Sequence, residues 1–207
     1  MMIKAKHHFL IYPFFQYFTL RQLKKKFHKI EIVGKYEEEN LPVLVVANHI
    51  SWWDGFWLMY LNLKMLHRRF HFMMLEEQLH KHWYFNFAGG YSIRKKSRSI
   101  LETLKYTAEL LECAENMVFI FPQGEIKSMH DHTIMFEPGI ENILNFCNNE
   151  IQIIFIANLV EYFSHPRPSL FMHIKVYKGE RNKKSKLQVA YNTFYQAAIE
   201  HQKSISD

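Results

Sequence analysis

The sequence is poor in the residues that mark non-globular chains. It has only 7 glycines and 6 prolines in 207 residues, too few for a collagenous, linker-like or disordered polypeptide. Its 2 cysteines, Cys113 and Cys147, cannot frame a disulfide scaffold or a four-thiolate zinc site, and they suit a reducing compartment. The sequence contains no GxxxxGK[ST] phosphate loop, dinucleotide GxGxxG, GxSxG elbow or HExxH string, so several familiar chemistries lack their signature. Hydrophobic residues, by contrast, make up 48% of the chain, enough for a sizeable core in one medium domain. Aromatics are in excess, with 18 Phe, 11 Tyr and 4 Trp.

The formal net charge of +6 is unevenly spread. Of the 26 Lys/Arg and 20 Asp/Glu, residues 1–36 hold eight basic residues and the single acid Glu31, a local net of +7 that leaves −1 for the rest. A nucleic-acid binder more often spreads its charge over a folded face, so no nucleic-acid partner is expected. Within this basic region, His8–Leu20 lacks Lys, Arg, Asp and Glu altogether and leads into Arg21 and Lys24–Lys26. A membrane span needs ~20 apolar residues, and Pro13 and Gln16 interrupt this stretch. The following cations and the lack of a small-residue cleavage site exclude a secretory signal. An aromatic segment followed by lysines matches an interfacial helix whose rings sit at headgroup depth while the cations meet anionic lipid. The alternative is a helix packed on the domain with a solvated basic face.

Downstream, apolar runs alternate with helix-like stretches, as in an α/β domain with a mixed central sheet flanked by helices. The expected strands are Lys29–Val33, Val43–Ala47, Phe70–Leu75, Met117–Phe121, Ile151–Ala157 and Leu170–Val176. The expected helices are Trp53–Leu63, Glu77–Phe87, Ser97–Cys113, Gly139–Asn148 and Lys186–His201. In the third, Ser97 or Ser99 is the cap and Leu101, Leu104, Ala108 and Leu111 form the apolar face. The implied organisation is an amphipathic helical arm over 1–28 and an α/β domain over 29–207.

The chemistry is expected where strand ends meet polar residues. Val43–Ala47 runs into Asn48-His49-Ile50-Ser51-Trp52-Trp53-Asp54, and strand carboxyl ends are where sites gather in α/β sheets. If the turn returns Asp54 to His49, its carboxylate fixes the tautomer and leaves the other ring nitrogen as a general base. The bland reading is a helix N-terminus where Asp54 meets only the dipole. A second strand end is Phe121-Pro122-Gln123-Gly124-Glu125, and a third is Gly89-Gly90-Tyr91-Ser92-Ile93-Arg94-Lys95. Histidine groups at His67/His71, His80/His82 and His130/His132 lack a Cys or carboxylate at ligand spacing, so no metal is expected.

Taken in order, these blocks resemble the glycerolipid acyltransferase family that includes the 1-acylglycerol-3-phosphate acyltransferases. Asn48, His49 and Asp54 match the family's NHxxxxD. Gly89–Lys95 is similar to its glycine, apolar pair and basic block, and Phe121–Ile126 is similar to FPEGT followed by arginine. Phe136-Glu137-Pro138-Gly139-Ile140 matches a following FxxGx element, and in Ile153–Ala157 Phe155 takes the place of a proline. The resemblance implies acyl transfer from an acyl-ACP or acyl-CoA co-substrate to a lipid hydroxyl. It makes His49 the base, Asp54 its orienter, and Arg94, Lys95, Gln123, Gly124 and Glu125 substrate-binding, with no further cofactor. The third block departs from the pattern: Gln123 stands for glutamate, Glu125 for threonine and Ile126 for arginine. A carboxylate at Glu125 repels a nearby phosphate unless cations offset it. A non-phosphate lipid or pigment is therefore the alternative acceptor, and a non-enzymatic basic peripheral protein is the rival from another class. The expected location is the cytoplasmic face of the cell membrane, held peripherally.

Overall fold

The computed structural model describes residues 2–94, 99–180 and 184–206. Seven strands form one mixed sheet: β1 Lys29–Val33, β2 Val43–Ala47, β3 Arg69–Leu75, β4 Gly90–Ile93, β5 Asn116–Ile120, β6 Gln152–Glu161 and β7 Ser169–Tyr177. Their order is β1-β7-β6-β2-β5-β3-β4. Only the β6–β7 pair is antiparallel; the remaining neighbours are parallel. Among the described residues six α-helices flank it: α1 Ile11–Lys26, α2 Asp54–Leu61, α3 Glu76–Lys81, α4 Ile100–Leu110, α5 Ile140–Phe146 and α6 Lys184–Lys203.

The central strand β2 is apolar without interruption because both of its faces are covered. Leu44 and Val46 pack into a core with Leu104 of α4, Ile140 and Ile143 of α5 and Tyr191 of α6. Val43, Val45 and Ala47 point to the other face, where Leu23 of α1 and Phe56–Leu61 of α2 close a second core. The period of two along one strand thus divides the interior into two layers.

The first two strands have the bounds expected from the sequence, the other four expected strands shift or lengthen, with β6 extending to Glu161, and β4 is a seventh strand that was not among those expected. Glu77–Phe87 is not one helix. It breaks at His82 (φ −118°, ψ 54°) into α3 and a 3-10 turn over Trp83–Phe87. Past His82 the bonding tightens to i→i−3, with Phe85 N–H donating to His82 O at 3.0 Å, and the end of this turn is tied to the amino-terminal segment by Lys6 N–H to Asn86 O and His8 N–H to Phe87 O, each at 3.0 Å. The helix expected from Ser97 starts at Ile100; Ser97 lies outside the described residues, and Ser99 holds the cap position without a side-chain cap hydrogen bond. Leu101 is 49% exposed and is not part of that helix's buried face. Thr103 and Thr107 take the inward positions, with Thr103 Oγ1 donating to Ser92 O at 3.1 Å and Thr107 Oγ1 meeting the Tyr91 hydroxyl at 2.8 Å. Hydrogen bonding to a buried strand outweighs the simple apolar count here.

Residues 2–10 and α1 are tied to the domain. Ser92 N–H donates to Ile3 O and Gly89 N–H to Lys6 O, each at 3.0 Å, so this segment runs beside β4. Gly89 has φ 98°, and a Cβ there would collide with the Phe70 carbonyl oxygen, which explains a glycine at that point. Helix α1 buries Thr19 and Leu23 but leaves Phe14 and Tyr17 on the surface. Among the described residues no helix is long and apolar enough to cross a membrane.

Candidate active site

The carboxyl ends of β2 and β5 lie side by side at the middle of the sheet, with Val46 opposite Ile120. The turn after β2 carries Asn48–Trp53 and the turn after β5 carries Phe121–Glu125. Parallel pairing therefore brings together two segments more than 70 residues apart in sequence, His49 and Gln123 included.

Asn48 is fully buried and continues the ladder with its side chain. Its Nδ2 donates to Asn158 O at 2.9 Å, while Asn158 N–H donates to its Oδ1 at 2.8 Å. These two bonds hold the end of β2 to β6 where the main chain turns away. Asp54, the first residue of α2, folds back over the turn. Its Oδ2 accepts from His49 Nδ1 at 2.7 Å, from Ile50 N–H at 2.7 Å and from Ser51 N–H at 2.9 Å. The carboxylate also sits at a helix N-terminus, where the dipole favours negative charge. Asp54 is 0% exposed; burial pushes its carboxyl pKa up, against the opposing pull of the His49 and backbone hydrogen bonds. Its Oδ1 is buried without a hydrogen-bond partner.

A carboxylate only accepts, so the proton of neutral His49 resides on Nδ1 and Nε2 carries the lone pair. The His49 side chain is 23% exposed, enough to meet a substrate. Its ring lies flat on Phe121, with centroids 4.1 Å apart and planes within 7°. Its backbone is held as well: His49 N–H donates to Gln123 Oε1 at 2.6 Å, and Lys127 N–H donates to His49 O at 2.9 Å. The imidazole is thus fixed at the ring nitrogen, the ring face and the main chain.

The remaining sequence-identified residues have distinct placements. Gln123 is 5% exposed, and its amide closes on His49 from both sides, with Nε2 3.5 Å from His49 O. Its contact is with His49 itself. Gly124 has φ 68°, and its N–H donates to Phe121 O at 3.1 Å; glycine adopts this left-handed conformation without a Cβ penalty. The Glu125 carboxylate meets Lys127 Nζ at 2.5 Å, with both side chains largely in solvent, and this pairing raises the Lys127 pKa. Arg94 stands at the end of β4, where its guanidinium meets Glu76 Oε1 at 2.5 Å; that contact lowers the Glu76 pKa. From β2 to β4 is three strand spacings, roughly 14 Å, so a substrate touching both His49 and Arg94 must span about that distance. Lys95 lies outside the described residues.

Among the described residues no group of three or more His, Cys, Asp or Glu side chains is placed to hold a metal ion. His71, one of the sequence-flagged histidines, is a buried neutral ring. It hydrogen-bonds Asn116 Oδ1 at 3.2 Å, and burial, aided by neighbouring His7, takes its pKa to about 4.

Phe121 as a stacking surface, Gln123 as a clamp and Asn158 as the partner of Asn48 were not assigned these contacts from the sequence. Phe121 and Gln123 lay in a singled-out block, but nothing local says that the block faces His49. Replacing Gln123 by alanine is expected to lower kcat about ten- to hundredfold with KM little changed, since small displacements of a base are costly. Gln123→Glu retains an acceptor for His49 N–H and is expected to keep near-native kcat. Steady-state kinetics of the two variants checks both outcomes.

A family model described as Acyltransferase matches residues 26–157, well over half of the chain. Comparison with curated proteins gives no match.

Proposed function

The chain belongs to the Acyltransferase family, and on that premise we propose that it moves a fatty acyl group from acyl-ACP or acyl-CoA to a lipid hydroxyl. The observation that carries the reading is the short His49 Nδ1–Asp54 bond, which leaves Nε2 as a partly exposed base at the strand ends. In the proposed reaction, Nε2 removes the acceptor hydroxyl proton while the oxygen attacks the thioester carbonyl. Asp54 stabilises the imidazolium that forms. Backbone N–H groups flanking Gly124, whose own N–H is held by Phe121 O, are the proposed donors to the developing oxyanion. As the tetrahedral intermediate collapses the C–S bond breaks, and the imidazolium returns its proton to the thiolate. The products are an ester and a free thiol, and no acyl-enzyme is needed.

The acceptor type proposed first is a lysophospholipid of the 1-acylglycerol-3-phosphate kind. A specific observation favours a second reading, in which the acceptor is a non-phosphate lipid or pigment. Two cations in or beside the motif blocks already face carboxylates: Lys127, just after the third block, meets Glu125, and Arg94 meets Glu76. Such an enzyme works at a membrane surface, and peripheral attachment to the cytoplasmic face of the cell membrane is proposed with it.

The test is product analysis with purified protein, both thioester donors, and lysophosphatidic acid beside neutral and zwitterionic lyso-lipids. Ester formation matched by thiol release is expected for at least one pair, and failure of every pair overturns the reading. The variant Glu125→Thr removes a negative charge and frees Lys127. It is expected to raise kcat/KM for the phosphate acceptor about tenfold relative to a neutral one, an effect on the order of one charge contact near a surface. Competition assays of the two acceptors measure the ratio.

A further inference from the structure

The segment between β5 and α5 contains neither helix nor strand. Glu137 N–H donates to Pro122 O at 2.7 Å, so residues 122–137 close into a compact surface loop, a kind that frequently carries function. Gln123, Gly124, Glu125 and Lys127 all lie on it. Its first half meets His49 directly: Gln123 Oε1 accepts from His49 N–H, and Lys127 N–H donates to His49 O.

The second half of the loop is held by α6, which lies beyond the residues that the family model matches. Gln188, Asn192 and Gln196 stand four residues apart and share one face of that helix. Gln188 Oε1 accepts from Phe136 N–H at 2.8 Å, and Asn192 Oδ1 accepts from Ile134 N–H at 2.7 Å. Asn192 Nδ2 also donates to Ile134 O at 2.9 Å. Four helical residues advance about 6 Å and two extended residues about 6.6 Å, so these two rungs stay in step. Gln196 Nε2 adds a third rung by donating to His132 O, just before a bend at Thr133. Ile134 and Phe136 are 1% and 4% exposed while Met135 between them is 67% exposed, and the Phe136 ring reaches Tyr191 of the same helix at 5.6 Å. Side-chain amides thus meet main-chain groups that a neighbouring strand meets elsewhere in the sheet.

We propose that Gln188, Asn192 and Gln196 are positioning residues: by fixing residues 132–136 on α6 they hold the Phe121–Gln123 turn against His49. The path is short. Phe136 precedes Glu137, whose N–H holds Pro122 O, and Pro122 stands between Phe121, stacked on the His49 ring, and Gln123, bonded to the His49 main chain. A small drift of that turn moves the imidazole relative to a bound acceptor, and such displacements are costly to rate. The inference deepens the acyl-transfer reading and rests on it for the rate effect; the mechanical coupling of α6 to His49 is independent of it.

The experiment pairs steady-state acyl transfer by full-length variants with amide hydrogen exchange followed by NMR, each variant first checked by a thermal scan. Asn192→Ala removes the central rung and is expected to lower kcat about tenfold with KM little changed. Gln188→Ala, which removes one bond only, acts in the same direction and carries the test if Asn192→Ala does not fold. Gln188→Glu keeps an acceptor for Phe136 N–H and is expected to restore near-native kcat. Thr193→Ala removes a bond within α6, from Thr193 Oγ1 to Val189 O at 3.0 Å, and is expected to leave kcat unchanged. Added to Gln123→Ala, Asn192→Ala should cost less than about twofold, because residues acting through one shared contact are not additive. Exchange of the His49 and Lys127 amides should rise about tenfold in Asn192→Ala, as their local opening becomes easier. Full additivity with Gln123→Ala, a Gln188→Glu variant as slow as Gln188→Ala, or an equal loss in Thr193→Ala overturns the proposal. Faster exchange at Ile134 with His49 and Lys127 unchanged confines the ladder to α6 and overturns it too. A wild type that transfers no acyl group refutes the enzymatic reading, and the exchange result then decides the coupling by itself.

Discussion

Replacing His49 by alanine is expected to lower kcat/KM for acyl transfer by about three to four orders of magnitude, the upper range for removing a positioned base. The loss falls on kcat because in the proposed reaction Nε2 acts on the proton only as the hydroxyl oxygen attacks. The fold should survive. The imidazole is partly exposed and bonded through Nδ1 to Asp54 alone, while its main-chain contacts to Gln123 and Lys127 do not depend on the side chain. Two side effects are expected: Phe121 loses its stacking partner, and Asp54 Oδ2 keeps its bonds from Ile50 and Ser51. A thermal scan and a rate assay on the same preparation separate chemistry from folding. Near-native turnover would remove His49 from the mechanism, and with it the main support for the acyl-transfer scheme.

The second large effect is expected from Asp54→Asn. The amide is isosteric, and its oxygen can occupy the Oδ2 position, where the His49, Ile50 and Ser51 donors converge. The amide nitrogen then takes the place of Oδ1, which already lacks a hydrogen-bond partner. The fold is thus preserved at a cost of roughly 1–3 kcal/mol for an unsatisfied buried donor. Catalysis loses the negative charge that stabilises the imidazolium, and a fall of about 10^3–10^4 in kcat is expected. The readout that separates loss of charge from loss of tautomer is nitrogen NMR of the ring. The wild type should show neutral His49 protonated at Nδ1, and the variant, whose amide oxygen still accepts from Nδ1–H, should keep that tautomer while turnover falls. A variant with an unchanged tautomer and no rate loss would assign Asp54 a purely structural part as the cap of the turn.

Much of this was legible in the sequence, and for identifiable reasons. Lys29–Val33 alternates charged and β-branched residues and Val43–Ala47 is a short apolar run rich in β-branched ones, so both read as strands, and both have those bounds. The pairing of His49 with Asp54 was accessible too, since a turn between a strand and a helix returns a first-turn carboxylate to the turn that precedes it. Leu101 and Glu77–Phe87 misled for a common reason. Helical periodicity describes what a segment prefers, while the groups that each segment meets, Ser92 and Tyr91 for α4 and residues 6–8 for the turn over Trp83–Phe87, come from elsewhere in the chain.

What the sequence determined by itself is therefore local: the composition of a globular α/β domain, the location of the basic aromatic stretch, and the residues able to act as base and orienter. Tertiary structure decided which distant residues meet. The order β6-β2-β5 sets Gln123 and Phe121 against His49 and Asn158 against Asn48. The packing of α1 on α2 links the exposed Phe14 to the exposed Trp52 through the half-buried Phe18 and the buried Phe56. The physical reason is range: turn and strand preferences act over a few residues, whereas strand order emerges only when both faces of the sheet are buried at once.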